Sequence, residues 1–189
     1  MKNIFEIEKN TIINKNQSYI TTYPYILDFF ASKPSLSIGD IICGAHIVYG
    51  WMPTILHIHI DDTINISEII QTLNDAKNGT EPSQEKIYNL SKIINNSVVG
   101  SSKLLHFISP NIFPIWDSKV YSFIHNKKPH NLHVNNVNNY LSYIKTLKEY
   151  SQKPEFEKFH DSVQEKVGYE LSPLRSLELV MFLNAPTYK

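Results

Sequence analysis

Apolar residues recur along most of this chain in blocks that punctuation residues cut to helical length. Residues 19–30 are dense in aromatic and aliphatic side chains and read as a helix, broken at Lys33-Pro34-Ser35. Ser37-Ile38-Gly39-Asp40 opens a second apolar stretch that runs through Tyr49 and halts at Gly50 and Pro53. Asn65 or Ser67 caps a helix over residues 68–76, ended by Asn78-Gly79, and Ser83 with Gln84 and Glu85 starts another that runs to about Asn95. A turn at Val99-Gly100 leads to a short helix over residues 101–108, stopped by Pro110. Phe113-Pro114-Ile115-Trp116 is then extended, and Asp117 caps a helix over residues 118–125. Longer helices follow at 134–150 and 155–167. The last starts at Ser172-Pro173, with proline in its first turn, and ends near Asn184-Ala185-Pro186. Only residues 55–60 alternate isoleucine and histidine with period two, as a short strand or hairpin arm does. The expected fold is mostly α and compact, one helical domain over residues 1–189 with two lobes allowed.

Composition narrows the class. A chain of 189 residues with 42% hydrophobic side chains is long enough to bury a core. Cys43 is the single cysteine, so no internal disulfide forms; it reads as a small buried hydrophobe. The opening MKNIFEIEKN lacks the apolar centre of a signal peptide, and no apolar run nears the roughly 20 residues of a membrane span. A cytoplasmic monomer without a membrane partner is the expectation. The formal charge is zero, yet residues 1–95 carry 7 basic and 10 acidic side chains, and residues 96–189 carry 11 and 8. Lys103, Lys119, Lys127, Lys128, Lys145 and Lys148 stand against only Asp117 and Glu149 within 96–149, and His106, His125, His130 and His133 share that stretch. A local positive field suits a phosphate-bearing partner.

Two residues in that stretch have chemistry to offer. Lys103 opens a short helix among Leu104, Leu105 and Phe107, where burial and the helix dipole both favour a neutral, nucleophilic amine. Asp117 follows a stiff tetrapeptide at a helix start, so it can cap backbone amides and still present an oxygen to a ligand. The plain alternative is a surface lysine and a structural cap.

The stretch from Val99 to Val120 resembles the helix-hairpin-helix DNA glycosylase superfamily, in particular its 8-oxoguanine glycosylase-like branch. Val99-Gly100-Ser101-Ser102-Lys103 matches the glycine-bearing hairpin and its lysine, and Phe113-Pro114-Ile115-Trp116-Asp117 matches the segment that ends in an aspartate. The usual hairpin has two glycines flanking one residue, whereas Val99 and Ser101 hold those places here. The resemblance implies an enzyme that flips a damaged or modified base out of duplex DNA without a cofactor. It implies that Lys103 attacks the sugar and Asp117 stabilises the cationic sugar. The Val99, Gly100, Ser101 and Ser102 amides would hold a phosphate, with Lys119 nearby. Trp51, Tyr49, His106 and Trp116 are then candidates for the base pocket.

Two other readings stand beside it: a non-catalytic helical DNA-binding module using the same basic stretch, and a metal-dependent hydrolase. The latter rests on His57, His59 and Asp61, which would share one face of a strand. Arg175, the sole arginine, and Glu178 at i, i+3 make a helix pair of small worth if exposed, or Arg175 binds a phosphate or a buried acid.

Overall fold

The computed structural model describes residues 3–51, 54–60 and 65–188, and these are mostly helical. The first half holds α1 (Ile4–Lys9), α2 (Ser18–Thr21), α3 (Tyr23–Ala31), α4 (Ile38–Trp51), α5 (Ile66–Lys77) and α6 (Gln84–Ile93). The second holds α7 (Val98–Ile108), α8 (Ser118–His125), α9 (Asn131–Val134), α10 (Val137–Ser151), α11 (Phe156–Val167) and α12 (Pro173–Leu183). Most boundaries follow local chemistry. Asn65, Ser83, Ser97, Asp117 and Ser172 each accept a backbone N–H of their helix's first turn. The helix expected over residues 19–30 divides in two because Pro24, in the first turn of α3, has no N–H to continue the ladder. The long helix expected from Val134 likewise begins only at Val137, where Asn136 caps the amides of Asn138 and Asn139.

The period-two segment forms no strand among the described residues. Ile58 pairs with Ile94 in a single antiparallel bridge, held by His59 N–H to the Ile93 carbonyl at 3.0 Å and Asn95 N–H to the His57 carbonyl at 3.1 Å. One bridge at the end of a helix offers no neighbouring strand to extend it.

The helices gather round two central ones. α7 packs against α3, α4, α5 and α6, while α12 packs against α1, α8, α10 and α11. One continuous buried cluster runs through both sets. Two glycines allow the closest approaches. A Cβ on Gly44 would lie 2.4 Å from Phe30 Cζ, and one on Gly100 would lie 1.9 Å from Tyr49 Oη, so α4 meets α3 and α7 almost backbone to ring. No helix among the described residues is long and apolar enough to cross a membrane.

α1 is held down by a buried charge. Glu8, 4% exposed, accepts from Ser162 Oγ at 2.7 Å and pairs with Lys166, whose Nζ also donates to the Glu8 carbonyl at 2.7 Å. Removing one partner strands the other in a dry site. Lys166→Met is therefore expected to lower stability by about 2 kcal/mol, and Glu8→Gln in the same chain to recover most of it. Urea unfolding of Lys166→Met, Glu8→Gln and the double variant checks this; an additive double variant would show that the pair is not coupled.

Candidate active site

The segment Phe113–Asp117 is extended, and three side chains clamp its backbone. His106 Nδ1 donates to the Phe113 carbonyl at 2.7 Å, Tyr140 Oη donates to the Pro114 carbonyl at 3.2 Å, and Ser102 Oγ accepts from Trp116 N–H at 3.1 Å. Trp116 itself is fully buried, with its indole N–H donating to the Val134 carbonyl at 2.7 Å. Asp117 thus leaves a rigid strut. Its Oδ1 accepts the Val120 N–H at 2.9 Å as the cap of α8, and its second oxygen has no hydrogen bond among the described residues.

Asp117 lines a cavity of about 230 Å³ between α7 and α12. Its polar wall is Lys103, Asp117, Arg175 and Glu178, two cations and two acids, and its apolar wall is Tyr19, Trp51, Ile115 and Phe182. A broader groove of about 730 Å³ adjoins it and shares Tyr19 and Trp51; its other walls, such as Gln17, Thr22 and Ile47, are uncharged. The indole N–H of Trp51 donates to the Tyr19 carbonyl at 3.2 Å, and its ring meets Phe107 edge-on at 5.2 Å, so the aromatic wall is fixed.

Within this cavity Arg175 and Glu178 are buried, and Lys103 and Asp117 are half-buried. Burial pushes the Lys103 ammonium below its ordinary range, against the attraction of Asp117 and Glu178 and with the help of Arg175. Lys103 makes no hydrogen bond or ion pair among the described residues. Arg175 and Glu178, 3% and 1% exposed, are paired to each other. Burial pushes the Glu178 carboxyl up to about 7, although Arg175 pulls the other way. Arg175 lies 4.9 Å from the centre of the Tyr23 ring and 5.9 Å from that of Trp51.

His106 stands behind this wall rather than in it. With Nδ1–H given to Phe113, its Nε2 accepts from Tyr23 Oη at 2.8 Å, which requires the neutral ring. Burial and the nearby Arg175 push its pKa down to about 3 from an ordinary 6.5. The folded state therefore takes up fewer protons than the unfolded chain between those values, and stability falls as pH drops through that window. Glu178 has the opposite sign, since its raised pKa removes stability as pH climbs from 4.5 to about 7. Urea midpoints measured from pH 3 to 8 should separate them. Wild type loses ground to His106→Gln on the acid side, whereas Glu178→Gln flattens the fall between pH 4.5 and 7. An unchanged difference between wild type and His106→Gln across pH would sink the neutral-ring assignment.

The structure thus brings Lys103, Asp117 and Trp51 together and places the other expected pocket residues elsewhere. Tyr49 is 4% exposed beneath Gly100, and His106 and Trp116 are wholly buried; none of the three lines the cavity. The hairpin also moves. Val99 and Gly100 lie inside the first turn of α7, and the turn before it is made by Asn95 and Asn96, both left-handed at φ 56° and 49°. Three of the amides there are occupied: Val98 donates to Asn135 Oδ1 at 2.6 Å, Gly100 to Ser97 Oγ at 3.1 Å and Ser101 to the Ser97 carbonyl at 3.0 Å, while Val99 N–H has no partner among the described residues. Ser101 and Ser102 are fully buried. Lys119 is exposed and lies over the Phe182 ring at 4.2 Å, on the far side of a cavity wall. No group of three metal-binding side chains occurs among the described residues, where His57 and His59 are exposed; Asp61 lies outside them. Cys43, expected to be buried, is exposed.

Arg175 and Glu178 are the residues whose placement local sequence left open, with a solvent pair and a buried one equally compatible with their spacing. The signal was there in the apolar flanks, since Leu174, Leu177, Leu179 and Val180 leave their helix no polar face.

Comparison of the chain with protein-family models, with curated proteins and with solved structures finds no match. The site is therefore read from its own geometry.

Proposed function

We propose that this protein is a DNA glycosylase that releases a damaged or modified base, with Lys103 as nucleophile and Asp117 as the electrostatic partner of the sugar. The observation that carries the reading is the shared cavity: an unpaired, desolvated amine and a half-committed carboxylate face one space with aromatic walls. Acid, amine and ring are what base extrusion and displacement require. The resemblance of residues 99–120 to the helix-hairpin-helix glycosylases assigns the same two residues the same two roles.

The chemistry follows from the parts. The neutral Lys103 amine attacks the anomeric carbon, the bond from that carbon to the base nitrogen breaks, and the base leaves with the electron pair and gains a proton. Positive charge builds on the sugar as the bond stretches, and the free oxygen of Asp117 offsets it. The lysine–sugar adduct then loses a proton and opens to a Schiff base, from which the strand can break. Duplex DNA would lie across the exposed lysines of the α8 region. Lys119 and Lys128 line a groove of about 400 Å³ that shares Phe182 with the cavity, and Lys127 is exposed beside them.

The test is base release from duplexes bearing 8-oxoguanine, alkylated purines, uracil or glucosylated hydroxymethylcytosine, with borohydride present to reduce any Schiff base to a stable protein–DNA bond. Release of one base with a trapped adduct is the expected result. Salt-sensitive duplex binding without release or trapping would turn the reading into a non-catalytic DNA-binding module.

A further inference from the structure

The proposed displacement uses Lys103 and Asp117 and leaves two of the four charged residues in the cavity without a task. Arg175 and Glu178 stand one turn apart on α12 and are almost wholly buried. One guanidinium nitrogen, Nη1, is committed to Glu178 Oε2. Arg175 Nε is buried and has no hydrogen-bond partner among the described residues. A buried donor on a charged group is among the costlier groups to leave unsatisfied. The guanidinium cannot swing to find a partner of its own, because the Tyr23 and Trp51 rings flank it. Glu178 matches it, since its other oxygen also has no hydrogen bond among the described residues.

Arg175, Glu178 and Trp51 all line this end of the cavity, so a guanidinium donor lies beside a carboxylate acceptor with an aromatic wall alongside. An anion gains nothing here, since the Arg175 guanidinium is already paired with Glu178 and Asp117 lines the same space. A sugar hydroxyl would satisfy one group at a time. A flat, neutral ligand with an acceptor atom next to an N–H satisfies both at once and lays its face on the indole. That pattern is the hydrogen-bonding edge of a nucleobase, whether a carbonyl beside a ring N–H or a ring nitrogen beside an exocyclic amine.

We propose that Arg175 and Glu178 are the recognition pair of this cavity, receiving the acceptor–N–H edge of a neutral heterocyclic base. The Arg175 guanidinium donates to the acceptor, the free Glu178 oxygen takes the N–H, and Trp51 stacks on the ring. The inference rests on the reading of the cavity as a base pocket, but it concerns binding and not bond cleavage, so the two fail separately.

The experiment uses the full chain and its own fluorescence, which two tryptophans supply, Trp51 at the cavity and Trp116 in the core. The probes are 1-methyluracil, which keeps a carbonyl beside N3–H, and 1,3-dimethyluracil, which keeps the carbonyls and loses the N–H. 9-Methylguanine serves as the purine counterpart. The expected result is saturable quenching by 1-methyluracil and 9-methylguanine, absent in Trp51→Phe, with 1,3-dimethyluracil weaker by about tenfold or more, the equivalent of one charge-assisted hydrogen bond. Glu178→Gln should narrow the difference between the two uracils, whereas Arg175→Lys, which alters the donor to a carbonyl that both keep, should weaken both. The comparison of methylated probes on wild type needs no variant and so survives a variant that fails to fold. Equal affinity for both uracils, or no quenching by any base, would overturn the proposal. Edge-dependent binding together with no base release from any duplex would uphold the recognition pair and remove the glycosylase chemistry. Base release with edge-independent binding would do the reverse.

Discussion

Lys103→Met should abolish borohydride-trapped adducts, cut base release by at least about a thousandfold, and at the same time raise the melting temperature. The three effects share one cause. The Lys103 ammonium is desolvated, finds no ion pair among the described residues, and is pushed below its ordinary pKa by burial ahead of every other influence. Such a cation costs the fold free energy and is kept only if the cavity uses it. Methionine fills the same space without the charge. Asp117→Asn makes the complementary case. Asparagine caps a helix about as well as aspartate, so the Val120 N–H keeps its acceptor and the fold and DNA affinity are expected to persist. On the proposed mechanism only the charge opposite the sugar is lost, and base release should fall by about a hundredfold or more. A Lys103→Met chain that is destabilised and still releases base would reassign the lysine as a structural side chain and leave the cavity without its nucleophile.

Gly100→Ala is the second large effect. On helix propensity alone alanine should stabilise the interior of α7 by roughly 1 kcal/mol. Here the added methyl would lie 1.9 Å from Tyr49 Oη, 2.9 Å from Tyr49 Cζ and 3.1 Å from Ile94 Cγ2. Tyr49 is 4% exposed and α4 is pinned on its other side by Phe30 at Gly44, so the ring has little room to retreat. Overpacking should win, and a net loss of about 2 kcal/mol is expected in urea unfolding. Tyr49→Phe removes the nearest atom, and in the Gly100→Ala background it should restore at least half of that loss, although each change alone is destabilising or neutral. The clash also has a functional reach. Trp51 lies two residues after Tyr49 on α4, and Lys103 lies three after Gly100 on α7, so forcing the helices apart moves two walls of the cavity. A Gly100→Ala chain as stable as wild type would show that the α4–α7 contact is looser than its geometry states.

The helical character of this protein was legible in the sequence because it is written locally. Ser83, Asp117, Ser172 and Pro173 sit at helix starts where a side-chain oxygen or a missing N–H is an advantage in any tertiary setting. The association of Lys103 with Asp117 came from the resemblance of residues 99–120, since the residues by themselves also allow a surface lysine and a structural cap. Which aromatics line the cavity was decided elsewhere. Trp116 adjoins Asp117 in sequence, yet its indole N–H is spent on Val134, while Trp51 and Tyr19 arrive from distant helices. The tight turn went to Asn95-Asn96 rather than to Val99-Gly100, because the glycine serves there to admit Tyr49 and not to bend the chain. Arg175 and Glu178 show the divide most plainly. Their i, i+3 spacing allows a solvent pair or a buried one, and only the packing of α12 at the centre of its neighbours removes the water that would make them ordinary. Local propensity and capping act over a few residues, whereas burial, desolvation and cavity walls depend on which helices meet, and that is a property of the assembled fold alone.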